Sequence, residues 1–233
     1  MRVSFTPDSR HIAGTTIPLR WQPVDHRGEP DTASGTVTVQ VTGAAAGTIH
    51  AAGTVTTEQT VAGRVGHQVD VTTVTEPDQL TAVWSVDGTV TATTRHMVLG
   101  APLITHDQMD QVVPGSRQVG LEKFLTTRDE VDDFLTDQAM GFSMVPRLSV
   151  DEFDSRGSDR LFLTYAYPRE IVSAVTIDSD GTETAITDID DVRLTESRSI
   201  HNNGCWPWGR IRITYRHGKD RPDARDLRCV GLL

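Results

Sequence analysis

The sequence predicts a β-rich α+β chain of two domains: a β-sandwich over residues 1–100, then a domain over 101–233 that combines helices with an inserted β-hairpin region. Three observations predict it. The length, 233 residues, is more than one typical domain of about 150. Composition breaks near residue 100: residues 1–100 hold 20 Thr, 15 Val, no Lys and 15 charged residues, whereas 101–233 hold the other 39 charges. The apolar period also changes, from two to three and four.

In the first domain, β-branched residues suit a pleated, half-buried surface. Thr36–Val41 places Val37, Val39 and Val41 on one face, and Val69–Thr72 repeats the pattern. Leu80–Trp84 and Val90–Thr93 are weaker members of the set. Turn signals lie between them at His26–Pro30, Gly43–Gly47, Gly63–Gly66 and the hairpin dipeptide Asp87-Gly88. About seven short strands in a hundred residues is the requirement of an immunoglobulin-like β-sandwich, here without the Cys–Trp–Cys core of antibody domains. Gly100-Ala101-Pro102 marks the boundary.

In the second domain, Leu121, Phe124, Leu125, Arg128, Val131, Phe134 and Leu135 recur at helical spacing. Pro114 suits the first turn and Gly141 the position after the end, so a long helix is expected over about 116–139. Thr127 with Glu130 forms a capping box, which offers a break near Thr126 as the competing reading. Strands resume after Pro146-Arg147, with a β region over about 160–216. Arg160–Thr164 alternates, Ile171–Ile177 leads into a hairpin at Asp180-Gly181, and Arg210–Tyr215 puts Ile211 and Ile213 on one face and arginines on the other. Pro222 then permits a C-terminal helix over about 222–233.

Several function classes are disfavoured. The net charge is −10, with a pI near 5.2, and affinity for phosphate backbones comes from Lys and Arg. No apolar run approaches the roughly 18 residues of a membrane-spanning helix, and MRVSFTPDSR lacks the apolar stretch of a signal peptide. The two cysteines, Cys205 and Cys229, read as free thiols of a reducing compartment. The expectation is a soluble chain that folds inside a cell and binds no membrane. Gly-x-Ser-x-Gly, His-Glu-x-x-His, Walker and Gly-x-Gly-x-x-Gly motifs are all missing, so no enzymatic activity and no cofactor are expected.

Three clusters carry possible chemistry. His201, Cys205, His217 and Cys229 are zinc-ligating types, but their spacing matches no closed zinc module. Asp178–Asp191 carries six acids and no base, yet it lacks the calcium-loop ligand series, and a hairpin turn accounts for Asp180-Gly181. From Arg193 to Arg228 nine basic residues face four acids. Contact with nucleic acid, pairing with a neighbouring subunit and a plain solvated strand face all fit that excess.

One stretch is distinctive: Trp206-Pro207-Trp208-Gly209-Arg210-Ile211-Arg212-Ile213-Thr214-Tyr215-Arg216-His217-Gly218, followed by Arg221-Pro222-Asp223 through Arg228, with Gly141-Phe142-Ser143-Met144-Val145-Pro146-Arg147 upstream. This order resembles the head-to-tail adaptor (connector) proteins of long-tailed bacteriophages, particularly those of actinobacterial phages, over residues 120–230. The chain departs from that pattern in a shorter last helix and in Cys229-Val230-Gly231 where the family has an Ala-rich stretch. The resemblance implies a helical adaptor domain and a virion structural protein. Its partners would be the portal protein, identical subunits in a ring of twelve, and the next neck or tail-completion protein. Genomic DNA would pass through the channel without sequence-specific binding. The location implied is the virion neck, after assembly in the host bacterial cytoplasm.

Interface residues expected on this reading are Trp206, Trp208, Arg210, Arg212, Arg216, Leu227, Val230, Leu232 and Leu233. Pro207 and Gly209 make a rigid turn that presents two large rings, with Trp208 favouring the core and Trp206 the interface. The alternative from another class is a secreted or cell-surface immunoglobulin-like module for carbohydrate or host adhesion. Trp21 and Trp84, besides Phe5, are its candidate aromatic platform.

Overall fold

The computed structural model describes residues 7–55, 57–61, 64–100, 143, 145–187, 189, 192–195 and 197–219, with the isolated positions 120, 123, 127, 130 and 133. Two compact units divide the chain, Ser4–Leu99 and a second whose body is Gly100–Leu233.

Ser4–Leu99 is built from β1 (Ser9–Ile12), β2 (Ile17–Trp21), β3 (Val37–Gly43), β4 (Gly47–Thr54), β5 (Thr57–Val61), β6 (Arg64–Val71), β7 (Asp78–Val86) and β8 (Thr89–Leu99). One sheet has the order β1-β8-β7-β3-β4 and the other β2-β6-β5. All pairings are antiparallel except that of β1 with β8, an arrangement compatible with an immunoglobulin-like sandwich. Period two decides what is buried. Val37, Val39 and Val41 of β3 point inward with Leu80, Ala82 and Trp84 of β7, and Ile17 and Leu19 of β2 complete the same core. The β7–β8 turn puts Asp87 at φ 48° and Gly88 at φ 80°, the two positive values of a type I′ hairpin. In the β3–β4 turn the buried Asp78 carboxylate accepts the Ala45 and Ala46 amides at 2.9 and 3.0 Å.

The second unit contains β9 (Arg147–Arg156), β10 (Arg160–Phe162), β11 (Pro168–Ile177), β12 (Glu183–Ala185), β13 (Val192–Leu194), β14 (Ser199–Asn202) and β15 (Trp208–His217). They form a sheet β12-β11-β15-β9 and a sheet β10-β14-β13, antiparallel throughout. Leu161, Leu163, Ala174, Ile200, Trp206, Ile211, Ile213 and Tyr215 form its core.

This corrects the expected helical adaptor domain with an inserted hairpin. Every element formed by the described residues is a strand, and the strands hold a core of their own rather than decorating a helix. The sequence concealed this because β9 turns Asp151 and Ser155 toward buried positions, so it lacks the apolar alternation that announces a strand. The expected helix over 116–139 lies outside the described residues, apart from Gly120 and four isolated helical positions, Lys123, Thr127, Glu130 and Asp133, and the one over 222–233 lies wholly outside them. The same holds for Leu227, Val230, Leu232, Leu233 and Cys229.

Candidate interaction surface

The Trp206–Gly218 stretch forms one turn and one strand. Asn202 accepts the Gly204 amide through its side chain at 2.9 Å, and Cys205 takes a left-handed φ of 64°. The chain then re-enters the core: the Trp206 amide donates to the Ser158 carbonyl at 2.9 Å, and the Trp206 ring is 1% exposed. Pro207 follows, and Trp208 opens β15 opposite Arg156.

Trp208 is 78% exposed, the most exposed large apolar side chain among the described residues. It is nevertheless seated. A Cβ added to Gly157 would lie 2.3 Å from the indole Nε1, and Gly157 has φ +74°, so the ring lies against bare backbone in a turn that favours glycine. Phe162, 68% exposed, is a second outward ring in this unit, flanked by the buried Leu161 and Leu163. The expectation for the two tryptophans is thus reversed. Strand parity explains it: Trp208 shares a face with Arg210 and Arg212, opposite that of Ile211 and Ile213.

The three arginines are paired with carboxylates of their own sheet. Glu152 of β9 takes Arg210 at 2.5 Å and Arg212 at 2.8 Å; Arg212 also pairs with Glu183 of β12, and Arg216 with Glu170 of β11. Burial alone would push the Glu152 carboxyl up, but the two guanidinium groups outweigh it and hold the carboxyl below its ordinary value. Burial opposes charge on Arg212 too, and its two glutamates more than compensate. Three of the nine basic residues counted along the sequence are therefore neutralised within the sheet and present no free cation to a phosphate backbone.

On the opposite face of the sheet lies a polar cluster that sequence reasoning missed. Asp151, 1% exposed, accepts the Thr164 amide at 2.7 Å, the Thr164 hydroxyl at 2.9 Å and the Tyr215 hydroxyl at 2.9 Å. Tyr215 in turn accepts the Tyr165 amide at 3.3 Å, and the Tyr165 ring stacks on His217 with centroids 4.5 Å apart. These bonds fix the segment leaving β10 against β9 and β15, beneath the face that carries the arginines.

The other sequence candidates go to local structure. His201 pairs with Asp159 at 2.7 Å, His217 bonds Ser149 at 2.9 Å, and Cys205 is exposed. No group of three metal-ligating side chains occurs among the described residues. Asp180 sits in the β11–β12 hairpin, where its carboxylate accepts the Thr182 amide at 2.9 Å, a bond that lowers its pKa. In Ser4–Leu99, Trp84 is fully buried and Trp21 stacks on it at 5.9 Å and on His67 at 5.7 Å. Trp84 belongs to the sandwich interior and Trp21 packs part-buried against it, so these two rings do not form an open aromatic platform; Phe5 lies outside the described residues.

Comparison with known proteins gave no matching family model, no matching curated protein and no matching solved structure.

Proposed function

We propose that the chain is a structural protein of a bacteriophage neck, a head-to-tail adaptor. Identical subunits, twelve by resemblance, assemble as a ring below the portal protein and link the capsid vertex to the next neck or tail-completion protein. Genomic DNA passes through the channel without sequence-specific contact, and the protein carries out no catalysis. The Ser4–Leu99 unit is an appended module.

The observation that carries this reading is Trp208. The turn that bears the family resemblance buries one ring and holds the other outward on a glycine seat. A large, pre-ordered aromatic side chain contributes contact area at little conformational cost, which is how protein interfaces are anchored. The self-paired arginine face supports the reading as well, since a channel component that does not grip DNA needs no free cationic surface.

The test mixes the full-length protein with purified portal rings and images the product by negative stain. An added ring of density on the portal, lost with Trp208→Ala, is the expected result. A wild-type protein that leaves the portal unchanged at micromolar concentration overturns the assignment.

A further inference from the structure

The first strand of the sandwich is held by an unusual clasp. β1 pairs parallel to β8 at the edge of the five-stranded sheet, with Ser9 opposite His96. The Ser9 Oγ lies 2.8 Å from His11 Nε2 and 2.7 Å from His96 Nδ1, so one hydroxyl bridges two imidazoles whose ring centroids are 5.6 Å apart. His96 Nε2 lies 2.9 Å from the Thr94 hydroxyl, which also accepts the Trp84 indole N–H at 3.1 Å.

A hydroxyl has one proton and two lone pairs, so with both rings neutral Ser9 can donate to one ring nitrogen and accept from the other. One added proton can be accommodated, because Ser9 still donates to the remaining neutral ring. A second is unfavourable: Ser9 can still accept from both rings, but its own proton loses the ring acceptor, and two cations with ring centroids 5.6 Å apart face each other at a site where His96 is 4% exposed. We propose that β1 is an acid-released edge strand, in which protonation of both His11 and His96 sets two cations against each other across Ser9 and frees Ser9–Ile12 from β8.

The surroundings supply counter-charge only in part. Asp8, just before β1, favours the charged form of His96, but burial outweighs it, and the Asp8 carboxylate accepts the Arg95 amide at 2.7 Å. From β7, Leu80 lies opposite His96, and the nearby Asp78 is taken by the amides of the β3–β4 turn. On β2 the charged residue is Arg20, bonded to Gln68 at 2.9 Å. Burial lowers the His11 pKa and brings that of His96 down to about 4, with the His11 charge adding to the effect on His96. A strand that takes up protons when it opens must open more readily as the pH falls.

Amide hydrogen exchange of the full-length protein at pH 7.5 and pH 5.0, corrected for intrinsic rates, tests the release. The opening of Arg10–Ile12 is expected to rise about tenfold at pH 5.0 and to stay far more frequent than the opening of β7 amides. The rise should vanish in His96→Gln and shrink in the half-buried His11→Gln. Should His96→Gln not fold, wild-type imidazole titration by NMR replaces it, with a midpoint for His96 well below 6.5 expected. An opening unchanged by pH, an equal rise in a folded glutamine variant, an opening of Arg10–Ile12 no more frequent than that of β7, or a midpoint near 6.5 overturns the proposal.

Discussion

Tyr215 donates its hydroxyl proton to Asp151 across 2.9 Å, and both residues are sealed from solvent. Burial first, and then the adjacent carboxylate, raise the Tyr215 pKa far above its ordinary value, so the phenol stays protonated and remains a donor. The pair ties β9 to β15 from within the core, while Glu152 ties the same strands from outside.

Tyr215→Phe removes the donor to Asp151 and the acceptor for the Tyr165 amide while keeping the ring. A loss of about 1.5–3 kcal/mol is expected, the range for a hydrogen bond to a charged group, measured by urea unfolding. In alkaline titration of the wild type, one of the three tyrosines should stay un-ionised until the unit unfolds.

The two tryptophans of the turn should separate stability from association. Trp206→Ala is expected to cost about 3–5 kcal/mol, as for other buried aromatic truncations, whereas Trp208→Ala should stay within about 0.5 kcal/mol. Only the second leaves a folded protein that fails to join the portal. Thermal melts paired with portal sedimentation read both effects.

Gly157→Ala should act on the same anchor from beneath. The added methyl meets the indole, and a left-handed φ strains any non-glycine residue, so a destabilisation of about 1–2 kcal/mol is expected. Trp208 fluorescence, taken as the difference between each protein and its Trp208→Phe counterpart, should report the displaced ring.

The arginine–glutamate lattice predicts a dependence on acid and salt. Because the Glu152 carboxyl is held below its ordinary value of 4.5, its contribution is fully present above that value and is lost as pH falls through the lower folded value. Glu152→Gln should flatten that part of the curve. Exposed pairs are worth about 0–1 kcal/mol each, so 1 M salt should lower the wild-type melting temperature by only a few degrees.

His96 imposes a pH dependence in a different window. Its pKa falls from 6.5 to about 4 on folding, so the unfolded chain binds the extra proton between those values and stability declines as pH drops from 6.5 toward 4. After allowance for solvent screening the loss is on the order of 2 kcal/mol. Melting of the sandwich unit followed across this range should show it, and His96→Gln should remove it.

Strands whose inward positions were Val, Ile or Leu were legible in the sequence: Val37–Val41, Leu80–Trp84, Ile171–Ile177 and Arg210–Tyr215 all lie in strands. So were the Asp87-Gly88 and Asp180-Gly181 turns, because the residues at those turns tolerate positive φ. β9 was not, since a buried aspartate on a strand looks like surface until its three donors are seen. The Trp206/Trp208 assignment failed for a simpler reason. Parity counted from Ile211 places Trp208 outward, and the turn chemistry of Pro207 and Gly209 was weighed instead. Nor can a run of arginines reveal that Glu152, Glu170 and Glu183 neutralise them, because those partners come from three other strands.

The Trp21–Trp84 stack joins the two sheets of the sandwich between β2 and β7, and Ser4–Leu99 contains no cysteine. A pair of aromatic faces holds the sheets together without a covalent cross-link, so thiol–disulfide chemistry has no purchase on this unit. Its stability should be identical in dithiothreitol and in oxidised glutathione. The module therefore needs no oxidative maturation step, and no disulfide isomerase could limit the rate at which it folds.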